Sequence, residues 1–181
     1  MQRVAIVGNA GSGKSTLARQ LAAGLGLVHV ELDAIFHQPG WTPLPEDVFR
    51  DRVAPLVADD RWVTDGNYGA VRDLVWARAD TIVWLDLPRH VVTPRIVRRS
   101  LLRAVRRQEL WNGNREQWRN LLSVDPERNI VLWSVTRHGE HRRKYRQRLL
   151  VDAPPPGVEV VHLRSRAAVR RWRDGVLSAA G

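Results

Sequence analysis

The chain has 181 residues, of which 44% are hydrophobic and 27% charged, as expected for one globular domain with a core of its own. It contains no cysteine, which excludes disulfides and thiolate metal sites, and no apolar run is long enough to span a bilayer. Because no charged and apolar leader precedes the first apolar run, we expect a cytoplasmic protein. We also expect no membrane contact, a single domain over residues 1–181 and a monomer.

The chain is strongly basic, with a formal net charge of +10. Anionic partners respond to such a charge, so nucleotides, nucleic acid and membrane headgroups are candidates. Nucleic acid is not favoured, because no recognisable readout module accompanies the charge. Of the 29 basic residues only Lys14 and Lys144 are lysine. A lysine in such an arginine-rich chain indicates a site that suits a compact point charge.

The most specific pattern lies in residues 3–16, where a short apolar run, a glycine-rich turn and the start of a helix follow one another. The turn has the spacing Gly-x-x-x-x-Gly-Lys-Ser of a phosphate-binding loop. Its N–H groups and the helix N-terminus would face the phosphates of ATP, Lys14 would reach the terminal phosphates, and the Ser15 hydroxyl would ligate Mg²⁺. The predicted ATP-binding residues of this loop are Gly8, Asn9, Ala10, Gly11, Ser12, Gly13, Lys14, Ser15 and Thr16.

Strands and helices are predicted to alternate along the rest of the chain. Strands are expected over residues 27–33, 61–65, 80–86 and 158–163, and helices over 15–24, 45–57, 69–78, 89–107, 129–150 and after a Ser165 cap. This order predicts an α/β fold of three layers, with a five-stranded parallel sheet and helices on both faces. Residues 34–44 are predicted to be a loop, and the polar segment 108–128, which contains two tryptophans, is predicted to be a small helical lid.

Acidic residues come at the ends of two predicted strands, where parallel sheets bind their ligands. We predict that Asp65 completes the magnesium site, although an Asp-Gly pair is also a turn signal. Asp33 is a candidate contact for a second substrate, and capping of the next segment is an equally weighted alternative. Trp41, in an aromatic loop, either contacts a substrate or anchors the loop to the domain.

Arginines on the predicted helix 89–107 can neutralise phosphates during transfer. Arg95 and Arg99 are four residues apart and therefore share one face of this helix. His138 and His141 are three residues apart on a later helix, but without a third ligand they do not indicate a metal site.

With these motifs in place, the chain resembles the adenylate-kinase-like P-loop small-molecule kinases, most closely the bacterial group labelled DNA topology modulation proteins. Residues 65–68, Asp-Gly-Asn-Tyr, are similar to the Asp-Gly-Phe-Pro-Arg segment of adenylate kinases, and residues 85–99 are similar to their strand and lid helix. The resemblance implies a P-loop NTPase fold in which Asp65 serves magnesium, Arg95 lies over the ATP base and Arg99 reaches phosphates. An arginine after the lid, Arg142 or Arg143, would complete the phosphate clamp.

The Thr-Gly-Asp pattern that holds AMP in adenylate kinases is absent, and Val-Glu-Leu-Asp stands at residues 30–33 instead. We expect an ATP- and Mg²⁺-dependent phosphotransferase in which Lys14, Asp65, Arg99 and Arg142 or Arg143 act on the γ-phosphoryl group. Its small-molecule acceptor would be a nucleoside monophosphate or, alternatively, a nucleoside, sugar or hydroxy acid, and would face Asp33, Trp41 and Tyr68. A regulatory nucleic-acid-binding NTPase is a further hypothesis.

Overall fold

The computed structural model describes residues 1–116, 118, 122–125, 129–152 and 156–180. Its strands are β1 (Arg3–Gly8), β2 (Val28–Glu31), β3 (His37–Gln38), β4 (Thr42–Pro43), β5 (Trp62–Asp65), β6 (Thr81–Leu85) and β7 (Glu159–Leu163). Its helices are α1 (Lys14–Leu25), α2 (Leu32–Phe36), α3 (Glu46–Ala58), α4 (Arg72–Arg78), α5 (Arg89–Val105), α6 (Ile130–Arg146) and α7 (Arg166–Ser178). Short 3₁₀ turns cover Pro39–Trp41, Gly69–Val71 and Trp111–Gly113, and a π-helical turn, Gln147–Val151, continues α6.

Five strands form one parallel sheet in the order β2-β5-β1-β6-β7, while β3 and β4 form a separate antiparallel hairpin. Strand β1 lies at the centre, and α1 leads from it across β5 to the edge strand β2. The carboxyl end of β1 is therefore the point where the order of strands reverses. Ligands bind at this point in open α/β sheets.

Both faces of the sheet are covered, which explains why its central strands are continuously apolar. Along β6, Ile82 and Trp84 pack into the core beneath α3, α4 and α6, whereas Val83 and Leu85 pack into the core beneath α1 and α7. The predicted three-layer fold with a five-stranded parallel sheet is confirmed. In the described part of the chain, no helix is both long enough and apolar enough to cross a membrane.

The structure corrects the prediction for residues 27–44. The second strand ends at Glu31, so Asp33 lies in the first turn of α2 and not at the end of a strand. The segment predicted as a loop contains most of α2 and the β3–β4 hairpin. A five-residue helix and two-residue strands are too short to leave a periodic pattern, and contacts with other segments stabilise them instead.

Candidate active site

The phosphate-binding loop joins β1 to α1. Gly13 has a φ of 98°, a left-handed conformation that places it immediately before the first helical residue. The Ser12 N–H donates to the Asn9 carbonyl oxygen at 3.2 Å and closes the loop. The Lys14 ammonium donates to the carbonyl oxygens of Gly8 at 2.8 Å and Asn9 at 3.2 Å, so it lies across the loop. Burial lowers the pKa of Lys14, and the nearby carboxylates of Asp33 and Asp65 oppose this shift.

The Ser15 hydroxyl donates to the carboxylate of Asp65, whose side chain is buried at the end of β5. A hydroxyl and a carboxylate are the hard oxygen ligands that Mg²⁺ prefers, and Mg²⁺ takes much of its remaining shell from phosphates and water. The described residues contain no cluster of three or more His, Cys, Asp or Glu side chains that could hold a metal by themselves. Ser15 and Asp65 therefore fit a magnesium ion that arrives with a nucleotide.

Two side chains that the sequence analysis did not identify hold this arrangement. His29 on β2 places Nε2 at 2.7 Å from the second carboxylate oxygen of Asp65. Asn67 donates to the Gly8 carbonyl oxygen at 2.7 Å, and its own amide oxygen accepts from the Gly8 N–H at 3.1 Å. The same Asn67 oxygen accepts from the Tyr145 hydroxyl at 3.1 Å. No pattern in the sequence signals these contacts, because the partners are far apart along the chain.

Helix α6 presents one face to the phosphate-binding loop. The Asn9 amide donates to the carbonyl oxygen and the hydroxyl of Ser134, and His141 interacts electrostatically with Lys14. Ser134, His141 and Tyr145 are spaced seven and four residues apart, so they share one face of α6. The two histidines considered as metal ligands therefore have different neighbours. His141 interacts with Lys14, whereas His138 Nε2 lies 3.0 Å from the Leu87 carbonyl oxygen.

The structure divides the predicted arginines into two groups. Arg95 lies beside the loop, with one guanidinium nitrogen 3.5 Å from the Ser12 carbonyl oxygen. Arg99 is half-buried and interacts electrostatically with Lys14 and Asp33, and desolvation lowers its pKa. Arg142 forms an ion pair with Asp86, with Nε 3.0 Å from Oδ1, and Arg143 is exposed on the same helix. A phosphate clamp completed by Arg142 or Arg143 stays a prediction.

Asp33 and Tyr68 are hydrogen-bonded to each other, and Asp33 interacts electrostatically with Lys14. The Tyr68 hydroxyl donates to an Asp33 carboxylate oxygen at 2.5 Å and lies 3.4 Å from His37 Nε2. Burial raises the pKa of Tyr68, with Asp33 adding to the shift, so the phenol remains protonated at neutral pH. Burial also lowers the pKa of His37. Since Asp33 interacts with both Lys14 and Arg99, the expected acceptor residues lie near the expected transfer residues.

Residues 109–115 form a small hairpin that packs on α2 and on the segment after it. The Asn112 amide donates to the carbonyl oxygens of Ala34 and His37, and Asn114 donates to that of Gln38 and accepts from the Trp41 N–H at 2.8 Å. The Trp41 indole N–H donates to the Arg115 carbonyl oxygen, and its ring lies 5.3 Å from His37 and 6.4 Å from Trp111.

These contacts favour the interpretation that Trp41 anchors its loop, because its backbone N–H and its indole N–H both donate to the hairpin. They also place the first part of the predicted lid, 108–128, beside Asp33 and Tyr68. Residues 117, 119–121 and 126–128 of that segment lie outside the described residues, so the lid stays a prediction.

Curated proteins resemble the chain in sequence, although no family model matches it. The bifunctional pantoate ligase/cytidylate kinase of Trichormus variabilis is 28% identical over an alignment of 186 positions, and the match covers 94% of this chain and 34% of the relative. The bifunctional pantoate ligase/cytidylate kinase of Nostoc sp. has the same identity and coverage. The chain thus spans about a third of the length of these curated relatives.

Solved structures match nearly the whole chain. Shikimate kinase from Bacteroides thetaiotaomicron has a TM-score of 0.59 at 13% identity, covering 98% of this chain and 97% of its own. Shikimate kinase from Acinetobacter baumannii, in complex with shikimate, has a TM-score of 0.55 at 19% identity and covers 99% and 92%. The chain has the fold of the P-loop kinases. Together with its phosphate-binding loop and its curated relatives, this fold supports a P-loop kinase.

Proposed function

We propose that this protein is an ATP- and Mg²⁺-dependent phosphotransferase that moves the γ-phosphoryl group to a small acceptor. The observation that carries the proposal is the convergence of Lys14, the Ser15–Asp65 pair and Asp33 at the carboxyl end of β1. A phosphate-binding loop alone serves many NTPases, but a separate carboxylate facing the loop lysine gives a second substrate a place to bind.

Lys14 and Arg99 would neutralise the charge that spreads over the transferred group, and the loop N–H groups would hold the neighbouring phosphates. Ser15 and Asp65 would hold Mg²⁺, which supplies further charge neutralisation between the phosphates. His29 would keep the Asp65 carboxylate in place through its bond to the oxygen that Ser15 does not use. Arg95, beside Ser12 and Gly13, would face the nucleotide from the side of α5.

Two acceptor classes compete, and different observations favour them. The curated relatives are named for a cytidylate kinase, which favours a nucleoside monophosphate. Asp33 favours an acceptor with a hydroxyl group, because its carboxylate can accept the proton that leaves when the hydroxyl oxygen bonds to phosphorus. The phosphate oxygen of a nucleoside monophosphate needs no such base, and a carboxylate beside it would be repulsive.

The test is ADP formation from MgATP with a panel of nucleoside monophosphates, nucleosides, sugars and hydroxy acids. We expect turnover that depends on one acceptor class and is lost in Lys14→Ala. The variant Asp33→Asn then distinguishes a hydroxyl-bearing acceptor from a nucleoside monophosphate. With a hydroxyl acceptor it should lower kcat by about 10²–10⁴-fold, whereas with a nucleoside monophosphate it should leave kcat nearly unchanged. Asp47→Asn, at an exposed position on α3, is the matched control.

ATP binding without any acceptor-dependent turnover would contradict the proposal. A salt-sensitive shift of duplex DNA at physiological ionic strength would then favour a nucleic-acid-binding NTPase, consistent with the net charge of +10.

A further inference from the structure

A second cleft lies between the ends of β6 and β7 and the C-terminal part of α6. Its volume is about 340 Å³, within the range of small-molecule sites. No residue of the loop, 8–16, lines it. Its polar lining consists of Asp86, Arg142, Arg146, His162 and Arg164, and Trp84 and Leu150 complete it.

Side chains on the floor of the cleft are joined by hydrogen bonds and ring stacking. The buried Asp86 carboxylate accepts from Arg142 Nε through Oδ2 at 3.2 Å, and the same oxygen lies 2.9 Å from His162 Nε2. The His162 ring stacks on the buried Trp84 with centroids 4.1 Å apart and planes 6° apart. These contacts hold the His162 ring in one orientation and already balance the charge of Asp86.

The remaining charge of the cleft is positive. Arg146 and Arg164 line it, and among the described residues neither has a carboxylate within ion-pair distance. Guanidinium groups bind phosphate oxygens through paired N–H donors, so several arginines around one cleft suit a dianion. The Arg142 guanidinium lines the same wall, but it already pairs with Asp86.

At the mouth of the cleft, the backbone departs from α-helical geometry. Helix α6 passes into the π-helical turn Gln147–Val151, which keeps Leu149 in the core while Leu150 lines the cleft. Single π-helical turns within helices occur frequently at functional sites. The turn thus gives the arginine-lined cleft an apolar edge.

We propose that this cleft binds a small phosphate-bearing anion, at a site separate from the phosphate-binding loop. The inference does not rest on the proposed kinase function, because none of the proposed transfer residues lines the cleft. Those residues are Lys14, Ser15, Asp65 and Arg99. It also gives Arg142 a role at the place where the structure puts it.

The test uses inorganic pyrophosphate as the probe and isothermal titration calorimetry at low ionic strength, where exposed charges are least screened. The background is Lys14→Ala, which we expect to weaken pyrophosphate binding at the loop. In this background we expect pyrophosphate to bind with a stoichiometry near one, and Arg146→Gln with Arg164→Gln to weaken binding by about tenfold or more. Both arginines are exposed, so the variants should fold normally.

The matched control is Arg52→Gln with Arg171→Gln in the same background, which removes the same charge at exposed positions outside the cleft. We expect it to keep the affinity of its parent. No binding in Lys14→Ala, or equal weakening by the cleft pair and the control pair, would overturn the proposal. If the unaltered protein showed no acceptor-dependent turnover while pyrophosphate binding at the cleft was intact, this would count against the proposed function alone.

Discussion

The phosphate-binding loop depends on single residues that lie outside it. The Gly8 carbonyl oxygen accepts from both Lys14 and Asn67, and the Gly8 N–H donates to Asn67 as well. Tyr145, on α6, donates to the same Asn67 oxygen. The orientation of the peptide groups at the start of the loop is therefore set by an amide side chain that follows β5, supported by a hydroxyl from a distant helix.

We expect Asn67→Ala to lower the free energy of unfolding by about 1–3 kcal/mol, because the Gly8 N–H loses its partner and the Gly8 carbonyl oxygen keeps only Lys14. We also expect a higher KM for MgATP, since the loop loses its fixed geometry. Urea unfolding and steady-state kinetics measure the two effects. Tyr145→Phe is the control, because it removes one bond but leaves both Asn67–Gly8 bonds intact. If Asn67→Ala bound MgATP as tightly as Tyr145→Phe and the unaltered protein, Asn67 would have no positioning role.

At the scale of elements, the phosphate-binding loop packs directly against α5. Gly11 has a φ of 73°, and a Cβ atom there would lie 2.5 Å from Ile96 Cγ1 and 2.8 Å from the Val92 carbonyl oxygen. Both partners are on α5, and both of their side chains are buried. The loop can approach the helix that carries Arg95 and Arg99 only because this position has no side chain.

Gly157 offers a comparison for Gly11, since its φ is 81° but a Cβ atom there would meet no described atom within 4 Å. We expect Gly157→Ala to cost about 1 kcal/mol from backbone strain alone. Gly11→Ala should cost about 1–3 kcal/mol more, because the new methyl group meets α5. Chemical denaturation of both variants measures the difference. Equal losses would show that α5 can move away from the loop without cost.

At the scale of the whole molecule, two half-buried histidines link stability to pH. Burial lowers the pKa of His37 and of His141 below the ordinary value of 6.5. Between the lowered and the ordinary pKa the unfolded chain binds more protons than the folded protein. The stability contributed by the neutral histidines is thus complete above about pH 6.5 and is lost as pH falls through the lowered pKa values.

We expect the free energy of unfolding to fall between about pH 7 and pH 5, and His37→Gln with His141→Gln to make this fall less steep. The exposed His90, changed to glutamine, is the control and should leave the slope unaltered. Unfolding by urea at a series of pH values measures all three proteins. An identical slope in the double variant would contradict the assignment of these two histidines.

Much of the fold could be predicted from short-range patterns. The apolar runs predicted the five sheet strands to within a few residues, and Ser165 caps the last helix as expected. The phosphate-binding loop was readable because its residues are consecutive. The β3–β4 hairpin and α2 were missed, since elements of two to five residues have no periodicity of their own.

The sequence by itself determined the three-layer fold and the loop at its centre, because both follow from local spacing: the period of the apolar residues and the positions of glycine, lysine and serine. Only the tertiary structure decided which side chains surround that loop. His29 reaches Asp65 across 36 positions, Asn67 reaches Gly8 across 59 and Tyr145 reaches Asn67 across 78. It also placed Arg142 at Asp86, 56 positions away. Contacts over such distances depend on how strands are ordered and helices packed, and no local pattern records that order.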